Sequence, residues 1–226
     1  MKMNRILAVG ATLLIGIILA GCGKNLSAES HDSHNGFTIP ITGKSSESAV
    51  YWKTDADGIN KVKTKNGEFS FEVPSKTHKF TIGVSNSKDM SDMKTIDFKG
   101  EKSIADYSTF YDAYDFNDGN SINFLPTTPS DDKNYADDTK NDVFLIHTDD
   151  GKLLGLNVYT KYDYSWFNEI VYAIGDSLDA DTGTLESGVK SASEKPGQYI
   201  TKKSGKTNYT FVINTKKDTY QMFVHS

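Results

Sequence analysis

Residues 66–74 read NGEFSFEVP and carry the clearest structural signal in the first half of the chain. Asn66 and Gly67 both accept positive φ angles, so the pair predicts a two-residue turn. Phe69, Phe71 and Val73 then alternate with polar residues, which places them on one face of a strand. The stretch therefore predicts a tight turn that leads into a half-buried strand.

The same alternation continues on both sides of this stretch. Apolar residues alternate around residues 37–41, 50–52, 80–84 and 96–98, and residues 59–65 form a weaker, lysine-rich strand typical of a sheet edge. Six short strands with one apolar face each are stable only when they pack face to face. We therefore expect a β-sandwich over residues 37–100.

Three segments carry a resemblance: ITGKSSESAVYW at 41–52, NGEFSFEVP at 66–74 and FTIGVS at 80–85. Together they resemble the bacterial Ig-like modules of Gram-positive surface proteins. The resemblance covers residues 38–98 and implies an Ig-like β-sandwich. It implies no particular ligand, because such modules act as spacers, adhesins and docking surfaces alike.

Residues 101–142 are expected to connect two domains through a helix and an acidic loop. Tyr107, Phe110, Tyr111 and Tyr114 follow the spacing of one face of a helix. This tyrosine stripe either packs on the next domain or contacts a carbohydrate or peptide.

Residues 143–226 predict an α+β domain of order ββαββ. Hairpins are expected at 143–160 and 208–225, a helix from Ser165 to about Leu178, and a second helix at 184–194. The whole chain is thus expected to be mainly β with α+β, an Ig-like sandwich followed by a small antiparallel sheet covered by one or two helices.

The N-terminus predicts export and lipid anchoring. Residues 6–20 hold no charge and number fifteen; a signal peptide core has about 7–15 apolar residues, whereas a membrane span needs about 20. The following Leu19-Ala20-Gly21-Cys22 resembles the bacterial lipobox. The resemblance implies that residues 1–21 are a signal peptide, cleaved between Gly21 and Cys22, with lipid on the Cys22 sulfur. The alternative is an ordinary signal peptide followed by a chance cysteine.

Residues 22–36 are polar and patternless and are expected to be a flexible tether. His31 and His34 within it are either metal ligands or, as we prefer, part of a solvated linker. The net charge is −5, and Arg5 is the one arginine. Removing the signal peptide makes the chain more acidic, which argues against binding nucleic acid or anionic lipid through a broad basic face.

Gly175-Asp176-Ser177-Leu178 spells the block of the GDSL esterases and lipases, in which the serine is the nucleophile. Ser177 is therefore the candidate catalytic residue of an alternative hypothesis, an acyl hydrolase. The residues before Ser177 have helical periodicity, and the chain after Leu178 is too short for a doubly wound sheet. These features favour a chance match.

Asp115, Asp118 and Asn120 are candidate ligands of an irregular calcium site. They do not form an EF-hand, because Gly119 falls where that loop needs an oxygen ligand. Turn chemistry explains the same residues without metal. His78, His147 and His225 are interpreted as strand-face residues, and no cofactor is expected.

These observations predict a noncatalytic lipoprotein on the extracytoplasmic face of the cell membrane, with a binding, adhesion or spacer role. Its partners would be membrane lipid through Cys22 and a cell-envelope protein or wall polymer, with no nucleic acid. The alternatives are the acyl hydrolase and a solute-binding lipoprotein, although solute receptors usually enclose a cleft between two larger lobes.

Overall fold

The computed structural model describes residues 25–31, 36–118, 125–129, 133–136, 142–161, 164–215 and 217–226. These residues form three antiparallel sheets and three helices and are mainly β, so the expected fold class is confirmed. Within the same residues, no helix is both long and apolar enough to cross a bilayer.

Seven strands form the first unit, called here the sandwich module. They are β1 (Leu26–Ser30), β2 (Thr38–Ser45), β3 (Ala49–Thr54), β4 (Asn60–Lys63), β5 (Glu68–Pro74), β6 (Phe80–Ser85) and β7 (Lys94–Phe98). One sheet has the order β1-β2-β5 and the other β4-β3-β6-β7. As predicted, the lysine-rich strand β4 lies at a sheet edge.

The two sheets enclose one core because each strand alternates inward and outward side chains. In β6, for example, Phe80, Ile82 and Val84 are buried within this core, while the alternate position Thr81 is only half-buried. Across the core Trp52 stacks on Phe71, with ring centroids 4.6 Å apart. The face-to-face packing inferred from alternation is therefore the packing that the structure has.

The tether prediction was wrong for residues 26–30, which form β1. This strand pairs with β2 along its whole length, from Leu26 opposite Ser45 to Ser30 opposite Ile41. Leu26 is buried, whereas Ser27, Glu29 and Ser30 are exposed. One buried side chain gives no visible periodicity, so the strand depends on its hydrogen bonds to β2.

The turn at Asn66 and Gly67 forms as predicted, with φ angles of 53° and 78°. Lys65 and Glu68 close it with a pair of backbone hydrogen bonds of 2.8 and 3.0 Å. The flanking strands β4 and β5 then separate into different sheets. The turn therefore links the two sheets instead of forming a two-stranded hairpin.

The second unit, called here the α+β module, contains a six-stranded sheet with a further short strand and three helices. Its elements are β8 (Ala105–Asp106), α1 (Tyr107–Asp118), β9 (Lys133–Ala136), β10 (Asp142–Asp149), β11 (Lys152–Thr160), α2 (Tyr164–Ser177), α3 (Thr182–Glu194), β12 (Ile200–Ser204), β13 (Thr207–Asn214) and β14 (Thr219–His225). The sheet order is β12-β13-β14-β11-β10-β9, and β8 pairs with β11.

The segment 101–142 does not merely connect the modules, because α1, β8 and β9 belong to the α+β module. Tyr107, Phe110 and Tyr114 are buried in the same core as α2, α3 and the sheet. The Tyr107 hydroxyl donates to the Pro126 carbonyl over 2.7 Å. The tyrosine stripe is thus a helix face packed in this core.

The helix predicted at 184–194 begins two residues earlier, at Thr182, and its N-cap is Asp181. The Asp181 carboxylate accepts the Thr184 backbone N–H at 2.7 Å. Such a cap satisfies an amide that the helix itself leaves without a partner.

Candidate functional site

The two modules meet at Asp149, the last residue of β10. Its side chain is only 8% exposed, and its Oδ2 accepts both the backbone N–H and the hydroxyl of Thr77, at 2.7 and 2.6 Å. The Lys76 ammonium lies 3.3 Å from the other oxygen, and His78 Nδ1 lies 3.4 Å from Oδ2. All three partners belong to the loop between β5 and β6 of the sandwich module.

These contacts decide the charge of Asp149. Burial alone would raise the pKa of its carboxyl group, because a charged group loses hydration. The two hydrogen bonds from Thr77 and the positive charge of Lys76 outweigh burial, so the pKa lies below its ordinary value. Asp149 is therefore an anion at neutral pH, held between the modules.

A second contact lies beside Asp149 at His147, which is 1% exposed. His147 Nε2 lies 2.9 Å from the Ser75 carbonyl oxygen, and a carbonyl can only accept, so Nε2 carries the proton. The His147 ring also lies 5.8 Å from the Phe37 ring. We call the contacts of Asp149 and His147 with residues 75–78 and Phe37 the clasp.

Gly36 allows the chain to approach the α+β module at the clasp. Its φ angle is +73°, and a Cβ atom there would lie 2.9 Å from the His225 Cβ and 3.2 Å from the Gly155 Cα. Only glycine combines this conformation with such close contact. Beside it the Ser75 hydroxyl is buried without a hydrogen-bond partner among the described residues.

His78, Asp149 and Asp150 offer three possible ligand atoms within 4.8 Å of one another. A cation at this point would compete with Lys76, which already neutralises Asp149, and with both hydrogen bonds from Thr77. Buried carboxylates with such partners are explained by pairing alone. We therefore assign Asp149 and His78 to the clasp and not to a metal centre, and Asp150 is an exposed turn residue beside them.

The clasp was not predicted, and one histidine was misplaced, because His78 lies in a loop and not in a strand. His147 does lie on a strand, β10, and its side chain is buried against the other module. Thr77 and Asp149 are 72 residues apart, so no local pattern joins them. The polar run Lys76-Thr77-His78 directly after a predicted strand was the one available signal.

Ser177 lies in the last turn of α2, where its hydroxyl donates to the Ala173 carbonyl at 2.6 Å. This bond to the residue four positions earlier is typical of serine inside a helix. The described histidines have contacts elsewhere: His31 with Thr42, His78 with Asp149, His147 with Ser75 and His225 with Ser226. The structure thus does not bring these residues together as a serine–histidine pair.

Of the calcium candidates, Asp115 and Asp118 lie on α1, and the Asp115 side chain is exposed. Asn120 and the side chain of Asp118 lie outside the described residues, so this site stays a prediction. The lipidation site Cys22 and its neighbour Gly21 also lie outside the described residues.

The second candidate surface is the face of the six-stranded sheet opposite the helices, called here the open face. Because strand residues alternate, the neighbours of buried Val158 and Met222 point to this face. Half-buried side chains on it include Leu145, Asn157, Tyr159, Val212, Gln221 and Phe223.

The open face combines rings with amides. Gln221 Nε2 donates to Asn157 Oδ1 at 3.0 Å. Tyr199, which is 70% exposed, lies 6.1 Å from the Phe223 ring. Among the described residues, Gly36 of the sandwich module approaches this face at its end near Gly155 and His225. Exposed rings and paired amides give a surface that can contact apolar and polar groups of a partner.

Comparison with protein-family models, with curated proteins and with solved structures gave no match.

Proposed function

We propose that this protein is a noncatalytic lipoprotein, anchored through Cys22 at the extracytoplasmic face of the cell membrane. In this proposal the sandwich module is the support, and the α+β module binds a cell-envelope protein or a wall polymer. The lipobox sequence at residues 19–22, at the end of an apolar segment of signal-peptide length, is the observation that carries the proposal.

The clasp is consistent with a sandwich module that holds the α+β module in place. A buried ionised Asp149 with three partners in one loop resists separation of the modules, since separation would expose or orphan these groups. Two modules joined only by a chain would move independently. A fixed junction suits a protein that holds a binding surface at a defined place.

The open face supports the binding role, because Tyr159, Phe223 and Tyr199 present rings that no helix covers among the described residues. The hydroxyl of Ser177 is used within its own helix, which favours a binding protein over an acyl hydrolase. Activation of a serine nucleophile requires a base within hydrogen-bond distance.

Intact-mass analysis of the protein purified from bacterial membranes tests the anchor. We expect a chain that begins at Cys22 and carries a diacylglyceryl group, and a Cys22→Ser variant that keeps its signal peptide and lacks the lipid. A processed chain with a free Cys22 thiol would contradict the proposal.

A second experiment tests binding. The unlipidated chain without its signal peptide should sediment with isolated cell walls or capture one envelope protein from a membrane extract. Retention on neither would leave the anchored chain without the proposed binding role.

A further inference from the structure

The strands of the sandwich module run from one end of the module to the other, and the two ends contact different parts of the protein. At one end, called here the anchor end, Leu26 pairs with Ser45, and the loops 46–48, 64–67 and 86–93 lie there. The Ser46 N–H donates to the Asn25 carbonyl at 3.1 Å, and Ser45 Oγ donates to Asn86 Oδ1 at 2.6 Å. The start of β1 is thereby fixed to these loops.

The opposite end, called here the far end, is occupied by the α+β module. Residues 75–78 follow β5 at this end and form the clasp with Asp149 and His147. The chain also leaves the sandwich module here, after Phe98. Among the described residues, these contacts between the modules lie at the far end, so the anchor end is the end available for another surface.

The short segment between Cys22 and Leu26 would keep the anchor end close to the membrane. Only Gly23, Lys24 and Asn25 separate Cys22 from Leu26, so the two Cα atoms lie at most about 14 Å apart. The sandwich itself is longer, since the eight residues of β2 span about 25 Å at ~3.3 Å per residue. The segment from Cys22 to Leu26 is thus shorter than the sandwich module that it would hold.

The outer face of the β1-β2-β5 sheet does not favour a position flat on the membrane. Exposed Glu29, Glu68 and Glu72 lie on this sheet together with exposed Lys44, whose ammonium lies 3.8 Å from the Glu68 carboxylate. An acidic face is repelled by anionic lipids. This sheet includes β1, to which the anchor connects.

We propose that the anchor end of the sandwich module lies against the lipid headgroups, and that the α+β module is held on the side away from the membrane. The inference rests on the proposed lipidation of Cys22. The partner surface is the bilayer that holds the anchor, and its contacts are loops 46–48, 64–67 and 86–93.

Site-specific quenching tests this orientation with the lipidated full chain. Lipidation consumes the one native thiol, so an introduced cysteine is the single labelling site. Ser46→Cys reports the anchor end, Ala56→Cys the far end of the sandwich and Ser187→Cys helix α3; all three side chains are exposed. Each variant is labelled with a fluorophore and placed in vesicles whose lipids carry a short-range quencher on the headgroup.

We expect strong quenching at Ser46, several-fold weaker quenching at Ala56, and none above the soluble dye at Ser187. Ser48→Cys, also exposed at the anchor end, repeats the measurement if the Ser46 variant does not fold. Insertion of about 20 Gly/Ser residues after Gly23 lengthens the flexible reach to about 25 Å, so quenching at Ser46 should fall.

The outcomes separate the two proposals. Equal quenching at Ser46 and Ala56 would show a sandwich lying on its side, and quenching at Ser187 equal to Ser46 would place the α+β module on the membrane; either result overturns the orientation alone. A free thiol in the unsubstituted chain overturns the anchoring, and the orientation with it.

Discussion

Asp149 of the α+β module accepts two hydrogen bonds from Thr77 of the sandwich module, one from its backbone and one from its hydroxyl, at 2.7 and 2.6 Å. Both reach the same oxygen, Oδ2, so the pair acts as a single two-pronged contact. The other oxygen faces Lys76 at 3.3 Å. One buried charge therefore supplies several of the polar contacts that join the modules.

Replacing that charge should weaken the protein. In Asp149→Asn the amide oxygen can still accept the hydrogen bonds from Thr77. The acceptor is then neutral instead of charged, and the attraction to Lys76 is lost. We expect the free energy of unfolding to fall by about 1–3 kcal/mol, measured by chemical denaturation. Asp150→Asn is the matched control, because Asp150 is exposed and its φ of 51° suits asparagine; we expect a change within about ±0.5 kcal/mol. If the two variants lost the same stability, the Asp149 charge would not be important for the junction between the modules.

The same contact makes stability depend on pH. The pKa of Asp149 is lower in the folded protein than its ordinary value, so the unfolded chain binds the proton more readily. Its contribution is complete above the unfolded pKa of about 3.9 and is lost as pH falls through the folded pKa. The stability difference between the protein and Asp149→Asn should therefore shrink as the pH falls below about 4. A difference that grows over that range would show that the sign is wrong.

Gly36 should tolerate no side chain. Gly36→Ala places a Cβ against His225 and Gly155 in a backbone conformation with φ +73°. We therefore expect the free energy of unfolding, measured by thermal or chemical denaturation, to fall by about 1–3 kcal/mol. Gly58→Ala is the control, since nothing lies within 4 Å of its Cβ position and its φ is not in the left-handed region. The interpretation of Gly36 as a junction residue requires that the two variants differ.

Ser177 should behave as an ordinary helix residue. Ser177→Ala removes one hydroxyl bond to Ala173, and alanine has the higher helix propensity, so we expect a stability change within about ±0.5 kcal/mol. A fluorophosphonate probe, which labels activated serines, should leave the protein unmodified. Stoichiometric labelling at Ser177 would support the hydrolase hypothesis instead.

The open face should carry envelope binding. The double variant Tyr159→Ala/Phe223→Ala removes two half-buried rings from it, and we expect at least about a tenfold weaker affinity for isolated cell walls or the captured envelope protein. Tyr51→Ala, on the outer face of β3, is the aromatic control and should bind normally. Unchanged binding by the double variant would place the binding surface elsewhere.

Local patterns predicted those elements whose cause is local. The hairpin predicted over residues 143–160 forms, with φ angles of 51° at Asp150 and 71° at Gly151 in its turn. Helix α2 follows the apolar periodicity of residues 165–178. Strand β1 was missed because one buried leucine in five residues gives no period. The separation of β4 and β5, the strands on either side of Asn66-Gly67, was missed for a different reason. A turn fixes its own geometry, and it does not fix which sheet each flanking strand joins.

The clasp could not be predicted from sequence, because its members are single polar residues far apart in the chain. Thr77 and Asp149 each have an ordinary local explanation, a loop residue and a turn residue. Only packing of the modules gives them a common role. The open face could not be predicted either, because sequence patterns do not show that all the described helices pack on the same side of the sheet.

The direction of β1 decides how the sandwich would carry a mechanical load. Leu26 is at one end of the module, and the chain leaves toward the α+β module at the other end. A pull between these points acts along the strand axis, at right angles to the five paired positions that join β1 to β2. Hydrogen bonds loaded in this direction share the force and must rupture together, whereas bonds peeled from one end break in sequence. The first strand is therefore placed to act as a shear joint.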